Sequence, residues 1–566
     1  MRWFSRNDYR SFYFLNATQF LGALNDNIFK LLVIFFLINI EGAGEAPSIL
    51  SLAGAIFVIP FLLFSSGSGV LADKWSKRTI IVFTKVLEVV IMIFGGLAFF
   101  IKSEVGAYTT LFFMATQSAI FGPSKYGIIP ELVEQKKVSK ANGSITSFTY
   151  LAIILGTFLA SFLTDVSHKN FVFTSSFCVF IAVIGLLTSL GISRTEPQRS
   201  AKNINPFFLY EIYQTLKISW KVPHLITAIF GSAFFLFIGA FAQLNIIPFA
   251  IQSLHLSEVG GGYLFLATAV GIAIGARIAG QLSKDRIEPG ISCFSGFLIA
   301  LFFFTLSLFS SSLVGTIISL ACLGIAGGGF LIPFDSFIQI NSPEEKRGQV
   351  IAAANFMSFL GVLFAALWLY LISKEFGLSA ASGFTVMGVL TSFASIVIAG
   401  RLSSFFFPFF SQKILKRIRK LRIHSQLPST NNLIILQSRS WWDALLLFTC
   451  LPKLKILLPA KHFRRFPWMN GWIDSIRIVN PEPESVSDLQ QLSEIAKQLQ
   501  EQNNFVCLFF HKQLETRQTI EIYKKAFGRF GYHLTFVKSE KEKILKRFLF
   551  FCYHQTQLNL SFTREP

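Results

Sequence analysis

The sequence predicts an all-α polytopic membrane protein of about twelve transmembrane helices, divided six and six, with a small α/β domain after the last span. Three observations carry this reading. Of the 566 residues, 52% are hydrophobic and 14% charged, against roughly 25% charge in a soluble globular chain. Apolar runs of about twenty residues, enough for a helix to cross about 30 Å of hydrocarbon, recur along the first two thirds of the chain. Lys and Arg gather in alternate loops, the distribution that the positive-inside rule produces.

The first apolar run, 11–40, carries Asn16, Gln19, Asn25, Asp26 and Asn27 and lacks a small-residue cleavage site, so it is read as a retained helix and not as a signal peptide. Runs at 48–71, 79–101, 105–129, 145–163 and 171–192 complete the first half, taken as 1–192. The segment 193–224 contains Pro197, Pro206 and several charges, is long for a helix-to-helix turn, and is read as a central cytoplasmic loop. A second set follows at 225–251, 261–282, 291–309, 313–340, 350–372 and 378–400, within a second half taken as 225–410. Basic residues fall at Arg2, Arg6 and Arg10, at Lys74, Lys77 and Arg78, at Lys136, Lys137 and Lys140, at Arg194 and Arg199, and at Lys346 and Arg347. The loops 41–48 and 310–312 contain none. An even number of spans with both termini in the cytoplasm is therefore expected.

The run KILKRIRKLR at 413–422 lies in a basic linker, 411–424, and suits anionic headgroups beside a membrane. From 425 the pattern turns soluble, with strand-like LIIL, KILL, VCLFF and LTFV separated by helical segments such as 486–501. The net charge of +20 follows from loop placement, so it does not require nucleic acid as a partner. The six cysteines are scattered without a C-x-x-C pair, which suggests neither a disulfide framework nor a metal site. No cofactor is implied.

Ionisable residues inside apolar runs are costly, at least ~2.5 kcal/mol each on the insertion scale, and by default mark function. Here they are Asp26, Lys85, Glu88, Lys125, Arg277 and Asp335. Lys85 and Glu88 stand three apart on one helix and can pair with each other. The loop after the second span reads GVLADKWSKR, 69–78: a Gly, three residues, Asp, a basic residue, two positions and a basic pair. It resembles the signature of the major facilitator superfamily, with Ser76 where that signature usually has a second Gly. Gly69 permits close helix approach, and Asp73 with Lys77 or Arg78 is expected to form a charge lock that breaks as the halves rock.

Further segments narrow the resemblance to the lysophospholipid transporter family, including the transporter halves of bifunctional transporter and acyltransferase proteins. They are QFLGALNDNIFK from Gln19, FGPSKYGIIPELV from Phe121, KANGSITSFTYLAIILGT from Lys140, GAFAQLNIIP from Gly239 and FLIPFDSFIQINSPEEKRGQVIAAANF from Phe330. The resemblance implies the major facilitator fold and a carrier in the bacterial inner membrane that flips lysophosphatidylethanolamine or a related lysophospholipid for reacylation. Helices 1, 4, 7 and 10 line the cavity in that fold, so it implies a polar site at Asp26, Lys125, Gln243, Asn245 and Asp335. A lysolipid headgroup offers a phosphate for Lys125 and an ammonium for Asp26 or Asp335. Lys125 and Asp26 have a plainer reading, a pair that only holds two helices together. Relatives more often carry Asn where this chain has Asp335. Arg277 is alternatively part of a degenerate second copy of the loop signature.

In layout, 425–566 resembles the glycerophospholipid acyltransferase domain of the bifunctional relatives. Those enzymes use a His, four residues and an Asp, the His taking the proton of the glycerol hydroxyl. This chain reads SRSWWD, with Ser438 at the His position and Asp443 kept. Gly471 with Arg477 loosely fits the next block, and FFHKQ from Phe509 replaces the Phe-Pro-Glu-Gly block and its following Arg. A degenerate, non-catalytic domain is expected, with Ser438 and Asp443 as vestiges. The adenylate-forming ligase of the longest relatives is not expected. The implied partners are lysophospholipid substrate, membrane lipids, and a separate acyltransferase or acyl carrier protein synthetase. Three other readings stay open: an acyltransferase with an altered site, a carrier for another small solute, and a non-transporting scaffold.

Overall fold

The computed structural model describes residues 7–42, 45–197, 207–256, 258–283 and 287–410, and beyond these only 422–423, 432–437, 454–459, 476–479, 490, 492–497, 505–510, 533–539 and 559–564. Long helices form the first part: α1 (Asn7–Glu41), α2 (Ala46–Lys74), α3 (Lys77–Phe100), α4 (Glu104–Gly127), α5 (Val138–Val166) and α6 (Phe171–Leu190). The second set is α7 (Leu225–Leu254), α8 (Glu258–Leu282), α9 (Pro289–Leu308), α10 (Leu313–Asn341), α11 (Arg347–Tyr370) and α12 (Ala380–Arg401). Among the described residues, eleven of these helices are long and apolar enough to cross a membrane. The twelfth, α4, falls short in composition because it carries Thr109, Thr110, Thr116, Gln117, Ser118, Ser124 and Lys125. It packs against α1, α2 and α3 all the same, and part of its polar content faces the interior. Thr110 and Thr116 satisfy their hydroxyls on the carbonyls of Gly106 and Phe112, at 2.8 Å each.

The helices start where their sequences offer caps. Ser103 accepts from Gly106 N at 3.0 Å to open α4, Asn170 from Phe173 N at 3.1 Å to open α6, and Ser312 from Gly315 N at 3.2 Å to open α10, each satisfying one orphan amide of a first turn. Outward faces stay apolar, with Ile93, Phe94 and Leu97 of α3 exposed, as lipid contact requires. The first half is centred on Phe29, Phe36, Phe99 and Phe171, whose rings lie 4.6 to 6.1 Å apart in successive pairs.

In the second half α8 and α10 approach backbone to backbone. A Cβ on Gly275 would lie 2.0 Å from Ile325 O, and one on Gly324 would lie 2.2 Å from Thr268 O. Gly271 and Gly328 repeat this, one turn away on each helix, against Ala321 O and Ala276 N. Lipid tails are as apolar as leucine, so this close van der Waals fit is what holds such a pair together.

The central segment, read from its charges and prolines as a loop, contains a helix at Phe208–Trp220. Its Ile212 packs in a cluster with Ala353 and Phe356 of α11, with Leu62 of α2 beside them. The other face of this helix leaves Leu209, Tyr210, Tyr213 and Trp220 exposed.

After residue 410 the described residues include seven short strands: β1 (Arg422–Ile423), β2 (Asn432–Gln437), β3 (Leu454–Pro459), β4 (Ile476–Val479), β5 (Phe505–Phe510), β6 (His533–Ser539) and β7 (Asn559–Arg564). They form one sheet in the order β1-β7-β6-β2-β5-β3-β4. All neighbours are parallel except β6 and β7. Leu433 pairs with Val506 on one side of β2 and with Leu534 on the other. Ser438, Asp443, Gly471, His511 and the run 413–421 lie outside the described residues.

Candidate functional site

A cavity of about 300 Å³ lies among α1, α2, α3, α4, α5, α7, α10 and α11, and so draws on both halves. Asp26 of α1, Lys125 of α4 and Asp335 of α10 line it together. Ser118 donates to Asp26 Oδ2 at 2.7 Å, and Ser232 of α7 donates to Asp335 Oδ1 at 2.9 Å. Asp26 Oδ1 is buried without a hydrogen-bond partner. Lys125 Nζ stands over the Tyr126 ring, 4.4 Å from its centroid, and 5.8 Å from that of Phe121. Both carboxylates act on Lys125 electrostatically, yet among the described residues it makes no ion pair within 4.0 Å. The plainer reading, a Lys125–Asp26 pair bolting two helices together, therefore does not describe this arrangement.

Lys85 and Glu88, also in the lining, are paired at 2.5 Å and almost wholly buried. Asn25 adds a second donor to Glu88, at 3.0 Å. Their charges are matched to each other, while Lys125 faces the cavity held only by aromatic faces and long-range attraction. Phe61 of α2 stacks on Phe359 of α11 at 4.1 Å and forms part of the apolar wall.

Two expected site residues lie elsewhere. Gln243 is exposed. Asn245 is buried and donates to Ala380 O at 2.8 Å, tying α7 to the start of α12. Both sit on α7, but the face of α7 that reaches the cavity carries Ser232 and Leu236. Sequence reasoning missed Ser118, Ser232 and Tyr126, and also Lys30, whose Nζ lies over the Phe57 ring at 5.2 Å and feels Asp26. A polar residue on a helix already carrying a candidate charge was the available signal for Ser118 and Tyr126.

The loop signature is built differently from the expected charge lock. Asp73 does not pair with Lys77 or Arg78. It accepts from Gly348 N at 2.6 Å, Gln349 N at 3.0 Å and Gln349 Nε2 at 3.1 Å, capping the first turn of α11 in the opposite half, where a helix favours negative charge. Gly69 makes room for this: a Cβ there would meet Ala352 Cβ at 2.6 Å and Gly348 O at 2.8 Å. Lys77 pairs with Glu131 at 2.5 Å. Arg78 donates at 3.4 Å to the carbonyls of Ile192 and Leu190 at the end of α6. Asp73 ends α2 and reaches across to the other half, while the two basic residues open α3 and brace their own.

Further contacts join the halves at this end. Gly143 of α5 would place a Cβ 2.4 Å from Ala276 O of α8. Asn142 and Gln339, both buried, exchange amide hydrogen bonds at 3.0 and 2.9 Å, and Asn142 also donates to Ser336 Oγ at 3.1 Å. The cavity is thus sealed at the end that carries Asp73.

Two six-helix sets enclosing a charged cavity at their interface define a secondary transporter. Residues 16–366 match the Major Facilitator Superfamily, and the chain belongs to that family. It is a multi-pass membrane transporter. Among curated relatives, Lysophospholipid transporter LplT of Pectobacterium carotovorum subsp. carotovorum (strain PC1) is 24% identical over 368 residues, 64% of this chain and 86% of the relative. The protein of that name in Enterobacter sp. (strain 638) is 24% identical over 389 residues, covering 68% and 92%. In fold the chain is similar to the E. coli fucose:proton symporter, with a TM-score of 0.57, 14% identity and coverage of 70% of this chain and 99% of that one. It is likewise similar to the human organic anion transporter MFSD10, with a TM-score of 0.55, 14% identity and coverage of 69% and 99%.

Proposed function

We propose that this transporter moves lysophospholipid, with lysophosphatidylethanolamine as the leading candidate, across a bacterial inner membrane, its termini and the 69–78 loop lying in the cytoplasm. The observation that carries the reading is the meeting of Lys125 with Asp26 and Asp335 in one cavity made by both halves. A zwitterionic headgroup presents a phosphate to the ammonium of Lys125 and its own ammonium to a carboxylate. Charge-assisted hydrogen bonds of this kind are about twice as strong as neutral ones. The relatives carrying the name lysophospholipid transporter support the substrate class. A cavity of about 300 Å³ sits at the small end of the range for ligand sites, which suits a headgroup with its acyl chain lying along the apolar wall.

In this reading Asp73, with Gly69 beside it, is a latch that holds the cytoplasmic end shut, while Lys77 and Arg78 stiffen the half that carries it. The 425–566 region is a degenerate relative of glycerophospholipid acyltransferases, because Ser438 replaces the general base that contributes roughly 10²- to 10⁴-fold to such reactions. Reacylation then falls to a separate acyltransferase or acyl carrier protein synthetase.

The test is uptake of labelled lysophosphatidylethanolamine by spheroplasts of a transporter-null strain expressing this chain, beside its Lys125→Ala and Asp26→Ala variants. Uptake by the parent chain that both variants weaken is expected. Uptake no greater than in the null strain, with the protein present in the membrane, would overturn the assignment. For the soluble region, acyl incorporation into lysophosphatidylethanolamine by the full-length protein is expected to be absent. Turnover that depends on Asp443, or on His511 of the FFHKQ run acting as a replacement base, would make it an enzyme with a rebuilt site.

A further inference from the structure

A second cavity, of about 620 Å³, lies apart from the central one, among α1, α5 and α8 at the same end as Asp73. Among the described residues three cations line it, Lys137, Lys140 and Arg277, and no carboxylate does. Lys137 has a partner in Glu134, 3.4 Å away. Arg277 projects from α8, a span long and apolar enough to cross the membrane, is exposed, and makes no ion pair among the described residues; Lys140 is exposed likewise. An arginine held at a membrane span without an anion among the described residues is costly, so its charge offers a site to an anionic ligand. Tyr13, Phe20 and Phe148 give the wall an aromatic stretch. Asn16 also lines the cavity, and its Oδ1 is buried with no hydrogen-bond partner, an acceptor suited to a hydroxyl donor.

We propose that this cavity binds the headgroup of an anionic bilayer phospholipid, its phosphodiester between Lys140 of one half and Arg277 of the other, and its acyl chains against the aromatic wall. The two cations belong to helices that touch beside the cavity, where Gly143 meets Ala276 and Gly280 meets Ser139. A bound phosphodiester therefore neutralises two positive charges brought together by closure and holds α5 against α8. A free phosphate ion would satisfy the cations and leave the aromatic wall unused, which is why the occupant is a lipid. The inference does not depend on what the central cavity carries.

The full-length protein in detergent is titrated with phosphatidylglycerol, phosphatidylcholine, lysophosphatidylethanolamine or inorganic phosphate, and bound ligand is read by native mass spectrometry. Phosphatidylglycerol is expected to be retained in preference to the other three and to raise the melting temperature. Each cation near a membrane surface contributes about 1 kcal/mol, so the double variant Lys140→Gln with Arg277→Gln is expected to bind it roughly thirtyfold more weakly. Arg277→Lys is expected to keep most of the affinity. Arg277→Gln alone, at an exposed position, gives the same reading at roughly fivefold if the double variant does not fold. Equal retention of phosphatidylglycerol by variant and parent, or no preference over phosphatidylcholine, overturns the proposal. So does displacement by equimolar inorganic phosphate, and so does tighter binding of the lysolipid, which would make this a substrate site.

Discussion

Asp73, which is buried, and the pair Asp26 and Asp335, which are half-buried, are carboxylates set between the same two halves, and the chain treats them in opposite ways. Asp73 receives three hydrogen bonds, two of them from backbone amides at the start of α11. Asp335 receives one hydroxyl, and Asp26 receives one and leaves its other oxygen with none. A buried charge that is fully satisfied has nothing left to offer a ligand, and it yields its partners only when the halves separate. One that is under-satisfied keeps the capacity to bind, at a cost in stability. The comparison separates groups that set conformation from groups that meet substrate.

The largest effect is expected where that comparison is broken in the cavity. Removing the ammonium with Lys125→Ala forfeits a charge-assisted bond to phosphate, about 1.5 to 3 kcal/mol, and should raise the KM for lysophospholipid uptake by roughly ten- to hundredfold. If exchanging Lys125 and Asp26 for one another restored full uptake, the two would be a structural pair, and substrate contact would be ruled out. Asp73→Asn keeps the shape and removes the charge, so loss of about 1 to 2 kcal/mol should weaken the sealed state. The expected readout is a turnover rate reduced roughly tenfold with KM little changed; a raised KM at normal turnover would place Asp73 among the ligand-binding groups.

A smaller effect sharpens the picture of the seal. Asn142→Leu or Gln339→Leu each strands a buried amide, costing about 1 to 3 kcal/mol, and should lower the melting temperature of the purified protein. The double variant should regain part of that loss, since the coupling between residues in contact is what such a cycle measures. Purely additive losses would show the amide exchange to be unimportant. The smallest effect belongs to Gln243→Ala, which is expected to leave uptake within experimental error because its side chain faces outward on α7.

The spans were legible because hydropathy reports burial in lipid directly. Asp26, Lys125 and Asp335 could be singled out because a charge in an apolar run stands out on its own. Gln243 and Asn245 were chosen by the helix they sit on, and α7 is apolar along most of its length with its few polar residues on different faces, so its pattern gave no hint of which face turns inward. Asp73 was recognised from its loop signature, but its partners lie 275 and 276 residues away, where no local pattern reaches. The same holds for Asn142 and Gln339, 197 residues apart. Both sit in segments that stood out by resemblance, yet only the packed halves bring them together. The helix at Phe208–Trp220 was hidden by flanking prolines and charges that read as a loop.

The interlocked glycines of α8 and α10 leave no room for a methyl group at four places, so neither helix can slide or roll past the other without a backbone collision. The two behave as one girder. Along it sit Ala276, against which α5 closes, and Asp335, which faces the cavity. Parting α5 from α8 therefore swings the Asp335 carboxylate with the same stroke, gearing the opening of the sealed end to the geometry of the charged chamber.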